Sequence, residues 1–223
     1  MDVREALHAR RSARAFTDRE VAPELLTRAL TDAAYAPSGG NIQPWHAVVL
    51  RGQSLRTLVD HVTARIHDPD APPPTPVFPV YPSPLKSPYR ERRFSNGEEL
   101  YALLGIPRDD RPARFRQFDR NFRFFDAPVA LFLYIDRSMH QPQWADLGMF
   151  LQSLLLLLTA EGVDTCPQAA WAIHHEAVAE VLQPPPELML FCGLAIGYAD
   201  STAAINRLRT ERAPLAEWCT FLD

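Results

Sequence analysis

A cluster of basic residues near the N-terminus carries side chains that suit a phosphate group. Residues 10–14 place three guanidinium groups close together, at Arg10, Arg11 and Arg14, with the Ser12 hydroxyl between them. Guanidinium groups bind phosphate oxygens through charge-assisted and often bidentate hydrogen bonds. Clusters of this kind also occur as solvated surface arginines, so the pattern alone leaves both interpretations open.

A second polar stretch, residues 36–45 with the sequence APSGGNIQPW, suits the edge of a flat ring. Gly39 and Gly40 have no Cβ, so the backbone can approach a ligand closely. The side chains of Ser38 and Asn41 can both donate and accept hydrogen bonds. An apolar run follows at once and would give the loop a rigid base. Together with the basic cluster, this loop predicts a site for a polar-edged heterocycle that carries a phosphate.

The sequence lacks the motifs of several other kinds of site. Its 7 histidines form no HxH or HxxxH pair and its 3 cysteines form no CxxC pair, so we expect no metal site. No G-x-G-x-x-G follows a predicted strand, which argues against a Rossmann nucleotide-binding half. No serine lies in a nucleophile elbow, and no side chain stands out as a general base.

Composition places the chain among cytoplasmic globular proteins. Its 223 residues fit a single domain over residues 1–223, and 47% hydrophobic residues can form a substantial core. A net charge of −4 argues against nucleic acid as a partner. The N-terminus does not have the pattern of a signal peptide. The most apolar run, residues 154–158, is too short to span a membrane, so we expect no membrane association.

Hydrophobic periodicity and chain-breaking residues predict the elements that must position these groups. The predicted helices cover residues 2–9, 23 to before Pro37, 54–66, 98–104, 113–125, 142–160 and 173–182. The predicted strands cover residues 45–50, 129–135 and 188–198. Helices come first, and the strands are separated by long helical stretches without a βαβ rhythm, which is typical of an α+β fold.

A proline-rich segment, residues 69–88, interrupts this pattern and excludes regular helix or central strand. One interpretation is a disordered linker. We favour an ordered excursion, because apolar residues such as Val77 and Phe78 would gain from burial. Its place between two helices suggests a flap over a site or an arm on a partner subunit. Phe78, Tyr81 and Tyr89 could stack on an aromatic substrate, or the segment could cover the open face of a bound ring.

Further motifs follow along nearly the whole chain in a fixed order. They are NFRFFDAP at 121–128, QWADLG at 143–148, GVDTCPQ at 162–168, GLAIGYAD at 193–200 and NRLR at 206–209. With the two N-terminal stretches, this series resembles the FMN-dependent nitroreductases, including the nitrobenzoate and nitroaromatic reductases. The resemblance implies a nitroreductase-like fold, with a small, mostly antiparallel central sheet flanked by helices. It also implies an intertwined homodimer in which a C-terminal arm, residues 201–223, docks on the partner.

The resemblance further implies bound FMN and NAD(P)H as co-substrate. The residues expected at the ribityl-phosphate are Arg10, Arg11, Ser12, Arg14, Arg123, Arg207 and Arg209. Arg207 and Arg209 alternate, so both can point to one face of an extended segment. The residues expected to reach the flavin of the other subunit are Pro37, Ser38, Gly39 and Asn41. Those expected along the isoalloxazine are Pro167, Gln168, Ala169 and Ala170, with the backbone N–H groups of the two alanines directed at N5 and O4.

The activity that the resemblance implies needs no catalytic side chain. NAD(P)H would pass a hydride through flavin N5 to an electron-poor acceptor such as a nitroaromatic or a quinone, in a ping-pong sequence. Relatives carry Glu-Gly where this chain has Ala169-Ala170, which leaves the acceptor open. Other functions of the same fold stay open too, namely flavin fragmentation, dehalogenation and dehydrogenation of a biosynthetic intermediate. A flavin-sequestering protein without turnover is a further alternative.

Overall fold

The computed structural model describes residues 1–222 and has one small sheet with helices on both faces. The α-helices are α1 (Val3–Ala9), α2 (Pro23–Ala33), α3 (Gly52–His67), α4 (Tyr89–Leu103), α5 (Arg111–Asp119), α6 (Gln141–Ala160) and α7 (His175–Leu182). The strands are β1 (His46–Arg51), β2 (Val129–Asp136), β3 (Asp164–Gln168) and β4 (Leu188–Gly197). Short 3-10 helices cover Gly39–Asn41, Arg120–Asp126, Ala169–His174, Ala204–Arg207 and Leu215–Glu217.

The sheet has the strand order β1-β2-β4-β3, and every strand pair in the described chain is antiparallel. This arrangement confirms the predicted α+β class and the antiparallel sheet. Three of the four strands match the predicted runs, whereas β3 was not predicted. Its sequence, DTCPQ, is short and contains Pro167. A proline cannot donate to the ladder, and it is tolerated here because β3 is an edge strand that pairs only with β4.

The core lies in two layers, one on each face of the sheet. Successive side chains of β2 face opposite layers, as the pleat requires. Leu131 and Leu133 pack with α2 and α6 on one face. Phe132 and Tyr134 pack on the other face with α3, α7 and the 3-10 helix Arg120–Asp126. Because β2 is covered on both faces, it is apolar along its whole length, which is why its sequence predicts a strand so clearly.

Helix α6 is the long helix of the first layer. It buries Leu147, Phe150, Leu154 and Leu158 against the sheet and α2, and it confirms the helix predicted at residues 142–160. Within residues 1–222 it is the one helix whose length and apolar composition would also allow it to cross a membrane. The core helix of a globular domain meets the same two criteria.

The predicted helix at 113–125 is wrong in its second half. Helix α5 ends at Asp119, and the chain continues as a 3-10 helix in which Phe124 and Phe125 adopt left-handed backbone angles, with φ of 50° and 54°. Both side chains, and that of Phe122, are buried. The kink turns all three rings into one layer, so tertiary packing has overridden the local helical preference.

The proline-rich segment contacts its own chain beside the 3-10 helix Ala169–His174. The backbone N–H of Val77 donates to the Ala172 carbonyl at 2.9 Å. Phe78 packs edge-on against Trp144 of α6, with ring centroids 5.2 Å apart. A further hydrogen bond, of 3.2 Å, joins the His175 ring to the Thr75 carbonyl. These contacts place the segment next to the residues expected along the isoalloxazine; its action as a flap stays a prediction.

Candidate functional site

A basic pocket of about 450 Å³ lies between the end of α1 and the chain after the 3-10 helix Ala204–Arg207. Its lining includes five arginines and no acidic residue. These arginines are Arg10, Arg11, Arg14, Arg209 and Arg212. Ser12 and His8 also line it. Five of the seven residues predicted to bind the phosphate are thus brought together by the fold, namely Arg10, Arg11, Ser12, Arg14 and Arg209.

The backbone fixes the arginine cluster against the edge of the sheet. Helix α1 ends at Ala9, and Arg10 turns the chain into an extended conformation with ψ of 125°. Ser12 then forms an isolated bridge with Thr165 of β3, and the Ala13 N–H donates to the Thr165 carbonyl at 2.9 Å. Ala13 is fully buried. The edge strand therefore holds the run 10–14 in place along one wall of the pocket.

The guanidinium groups are held partly by their own loops. Arg14 Nη1 donates to the Ser12 carbonyl at 3.3 Å, and Arg209 Nη1 donates to the Asn206 carbonyl at 3.0 Å. A guanidinium has five N–H donors, so most of them remain for a ligand. Burial lowers the pKa of Arg10, and the nearby charge of Arg212 lowers it further. Like charges gathered in one pocket favour an anionic ligand.

Cys166 of β3 lies near this pocket and is inert. Burial raises the pKa of its thiol to about 11, although the charges of Arg14 and Arg10 act in the opposite direction. The thiol is therefore protonated at neutral pH, and a protonated, buried thiol is a poor nucleophile.

Strand β3 leads from the basic pocket to the segment expected along the flavin ring. Thr165 touches the arginine run, and Gln168 ends the strand. The Gln168 side chain is buried and donates from Nε2 to the Asn121 carbonyl at 2.7 Å, while its Oε1 has no hydrogen-bond partner. Ala169 and Ala170 then begin a 3-10 helix. The first N–H groups of a helix have no partner within it, so these two are available to a ligand.

The loop expected to reach a flavin has a constrained backbone. Gly40, Asn41 and Gln43 have positive φ angles of 60°, 58° and 48°. Left-handed backbone is costly for residues other than glycine and is often retained at functional sites. The Gln43 N–H donates to Ser38 Oγ at 3.0 Å and braces the loop from within. None of these residues lines the basic pocket. Within one chain, the loop residues and the arginines of the pocket therefore lie at separate places.

Two predicted phosphate-binding residues do not reach the basic pocket. Arg207 ends the 3-10 helix Ala204–Arg207, so the extended segment assumed for it and Arg209 is wrong at that position. Arg123 is exposed and pairs with Asp126, at 3.3 Å. Arg11 does line the pocket, but its guanidinium also lies 3.6 Å from the Asp164 carboxylate.

Two residues of interest were missed by sequence reasoning. Arg212 lines the pocket beside Arg209. The sequence indicates this position only in that Arg212 is a third arginine shortly after Arg207 and Arg209. Asp146 of α6 accepts a hydrogen bond from the Gly39 N–H of the loop at 3.2 Å. It belongs to the QWADLG motif, but the sequence gives no indication of its partner. No cluster of three potential metal ligands occurs within residues 1–222.

Comparison with known proteins shows extensive similarity. The profile of the nitroreductase family matches residues 7–198. The chain is 36% identical over 214 residues to a nitrobenzene nitroreductase of Ectopseudomonas oleovorans, covering 96% of this chain and 93% of the relative. It is 35% identical over 204 residues to a 4-nitrobenzoate reductase of Pseudomonas putida, covering 92% and 88% of the two chains.

Solved structures show the same similarity in three dimensions. An FMN- and NADPH-dependent nitroreductase, NfnB, of Sphigopyxis sp. strain HMH superposes with a TM-score of 0.96 at 46% identity, covering 100% of both chains. The FMN-dependent NfnB of Mycobacterium smegmatis, solved in complex with NADPH, superposes with a TM-score of 0.92 at 33% identity. That superposition covers 99% of this chain and 97% of the other.

Proposed function

This chain belongs to the nitroreductase family, and from that premise we propose that it is an FMN-dependent oxidoreductase that uses NAD(P)H to reduce nitroaromatic compounds. Its relatives include enzymes named for nitrobenzene and for 4-nitrobenzoate. The observation that carries the proposal is the basic pocket, in which five arginines and no carboxylate line one cavity at the edge of β3.

The residues of this pocket fit the phosphate of FMN. Phosphate is a dianion near neutral pH, and guanidinium groups bind it with charge-assisted hydrogen bonds. Arg10, Arg14 and Arg209 would hold it from two sides, with the Ser12 hydroxyl as a further donor. When bound, FMN supplies the transfer of electrons between NAD(P)H and the acceptor, which no side chain here could perform.

The far end of β3 offers groups suited to the ring edge. The backbone N–H groups of Ala169 and Ala170 are fixed by the start of a 3-10 helix. Fixed donors favour negative charge at the atoms they face without reorganisation during the reaction. The unpartnered, buried Oε1 of Gln168 could accept an N–H from the ring. A buried acceptor without a partner is costly, so a ligand donor there would be stabilising.

We also propose that the enzyme is a homodimer with sites built from both chains. In a single chain the loop with Pro37, Ser38, Gly39 and Asn41 does not line the basic pocket. The chain after Ser201 ends in exposed apolar side chains, with Trp218 69% and Phe221 78% exposed. That pattern supports an arm that packs on the partner, although Glu217 of the same arm contacts Arg92 of its own α4 at 2.5 Å. The final residue of the arm, Asp223, lies outside the described residues.

The same protein is proposed to act in the cytoplasm. Its three cysteines, Cys166, Cys192 and Cys219, are unpaired in the described chain, and two of them are buried. Unpaired thiols are typical of a reducing compartment. The net charge of −4 gives no support for a nucleic acid partner.

The test is an anaerobic reduction followed by reoxidation with a nitroaromatic. The purified protein should show flavin absorption at about 370 and 450 nm that bleaches on addition of NADPH or NADH. Adding nitrobenzene or 4-nitrobenzoate should restore the absorption, and each donor and acceptor is then ranked by its rate. Absorption that does not bleach with either nucleotide would contradict the proposed activity. Absence of flavin binding, even after addition of FMN, would contradict the proposal that FMN is the cofactor.

A further inference from the structure

We propose that the side chain of Gln168 is a positioning group, which fixes the direction of the backbone N–H groups of Ala169 and Ala170 by tying the end of β3 to Asn121. These two N–H groups are called the ring-edge amides below. The inference rests on the proposed function, because the ring-edge amides are the donors expected to face the flavin ring. It adds a side chain that acts on the ring through the backbone of its neighbours.

The Gln168 side chain joins two segments that are distant in the sequence. Gln168 is 3% exposed, and its Nε2 donates to the Asn121 carbonyl at 2.7 Å and to Asn121 Oδ1 at 3.3 Å. Asn121 belongs to the 3-10 helix Arg120–Asp126 and lies 47 residues earlier in the chain. Gln168 is the last residue of β3 and directly precedes Ala169. Its amide therefore holds the chain at the point where the ring-edge amides begin.

The orientation of the Gln168 amide is determined by its neighbours. The Asn121 side chain donates from Nδ2 to the Phe118 carbonyl at 2.8 Å, which leaves its Oδ1 as an acceptor. Two oxygens of Asn121 thus face the Gln168 side chain, and only the NH2 end of that amide can donate to them. A flipped amide would place Oε1 against both oxygens. The side chain therefore has a single favourable orientation.

Aromatic packing joins the same two 3-10 helices. Trp171 follows the ring-edge amides and is fully buried. Its indole stacks on Phe124 with centroids 4.5 Å apart and meets Phe122 edge-on at 5.4 Å. Both phenylalanines lie in Arg120–Asp126, as Asn121 does. The rings hold the two helices together, whereas the hydrogen bond is directional and fixes how the end of β3 is turned.

The direction of the ring-edge amides should matter more for the reduced form of FMN than for the oxidised form. Reduction adds negative charge to the ring, and fixed backbone donors stabilise charge that develops at the atoms they face. A donor that is turned away loses much of this effect, because hydrogen bonds weaken steeply as their angle departs from linearity. Loss of the Gln168 amide should therefore lower the reduction potential of bound FMN.

The experiment measures the reduction potential of bound FMN and the Kd for oxidised FMN. Gln168→Met replaces the amide with an apolar side chain of similar length. Its affinity for reduced FMN should fall about tenfold more than its affinity for oxidised FMN, which makes the potential about 30 mV more negative for a two-electron couple. Gln53→Met is the matched control, because Gln53 is exposed and its side chain bonds within α3. It should leave the potential unchanged.

A second variant, Asn121→Ala, tests the same contact from the other side. It removes Oδ1 but keeps the backbone carbonyl, which accepts the shorter of the two hydrogen bonds from Gln168. The potential should therefore shift in the same direction by less than half as much. The free energy of unfolding of each apoprotein, measured in urea, separates an effect on the ring from a general loss of stability.

An unchanged potential in Gln168→Met would overturn the inference, whether or not the Kd for FMN rises, because the amide would then only support the fold. If Gln168→Met does not fold, Asn121→Ala decides, and an unchanged potential in that variant overturns the inference. Both results leave the proposed function intact, since the protein still binds FMN. If the unaltered protein binds no FMN, the proposed function fails together with this inference.

Discussion

The backbone N–H of Gly39 donates a hydrogen bond to the carboxylate of Asp146, with 3.2 Å between the nitrogen and Oδ2. Asp146 is 7% exposed on α6, whereas Gly39 begins the constrained turn of the loop proposed to reach the flavin. A buried carboxylate on a core helix thus anchors an exposed loop that contains three positive φ angles. This hydrogen bond therefore connects the packing of the core helix with the conformation of the loop.

Removing that acceptor should loosen the loop. Asp146→Ala should lower the free energy of unfolding by about 1–2 kcal/mol, since a hydrogen bond to a charged group is lost. Asp146→Asn keeps an oxygen acceptor and should lose less than half as much. Urea denaturation measures both, and FMN titration should show weaker binding in the same order. Ser153→Ala is the control on the same helix, because the Ser153 hydroxyl donates to the Met149 carbonyl within that helix. An equal loss in the Asn and Ala variants would assign the effect to charge and not to the Gly39 contact.

The inner arginines of the basic pocket should determine FMN retention. Arg10 and Arg14 are half-buried, and both line the pocket. The double variant Arg10→Ala/Arg14→Ala should weaken FMN binding at least about 100-fold, because two charge-assisted contacts to the phosphate are lost. The purified double variant should therefore be colourless, as judged by its visible spectrum. The control is Arg28→Ala/Arg56→Ala, which removes two exposed arginines outside this pocket. A double variant that stays yellow at full stoichiometry would contradict the phosphate assignment.

Gly193 should be intolerant of any side chain. A Cβ at this position of β4 would lie 2.2 Å from Cδ1 of Trp171, which is fully buried. The indole cannot move away without disturbing Phe124, which stacks on it with centroids 4.5 Å apart. Gly193→Ala should destabilise the protein by about 3 kcal/mol, at the upper end of the range for overpacked cores.

The matched control for Gly193 is Gly97 in the middle of α4, where an added Cβ meets nothing within 4 Å. Gly97→Ala should stabilise the protein by roughly 0.5–1 kcal/mol, because alanine favours the helix. Urea denaturation of both variants measures the contrast. Equal stability of Gly193→Ala and the unaltered protein would show that Trp171 can repack.

Protonation of His174 should lower the free energy of unfolding in mild acid. Its ring packs edge-on against Phe122 at 4.5 Å, and burial lowers its pKa from the usual 6.5, with the charge of Asp119 acting in the opposite direction. The unfolded chain therefore binds this proton more readily than the folded one. The neutral form stabilises the fold above about pH 6.5, and that contribution is lost as the pH falls through the unfolded value.

The measurement is the free energy of unfolding of the unaltered protein and His174→Gln between about pH 5 and 8. The variant should be less stable at pH 8, where it loses the contact with Phe122, but its stability should fall less towards pH 5. His140→Gln, at an exposed position before α6, is the control for removal of a histidine. If the stabilities of His174→Gln and the unaltered protein changed with pH in parallel, His174 would not be the group that destabilises the protein in acid.

Much of the fold could be predicted from the sequence because its signals are local. Strand β2 is apolar at every position except its last, and α2 has apolar residues at helical spacing after Pro23. Apolar residues recur along the sequence with the period of the helix or strand face that is buried, so these patterns can be recognised locally. Strand β3 was not predicted because its five residues include a proline and depend on pairing with β4, which is distant in the sequence. The left-handed turn at Phe124 and Phe125 was not predicted either, because the packing of the rings against distant parts of the chain explains it.

The sequence by itself determined the chemistry of the site: an arginine cluster at residues 10–14, a glycine-containing polar loop and motifs in family order. These follow from residue type and short-range spacing, which folding does not change. Only the tertiary structure decided which distant groups meet. It excluded Arg207 from the pocket, brought in Arg212 and paired Asp146 with Gly39. Each depends on the path of the backbone between elements far apart in the sequence, and no local pattern encodes that path.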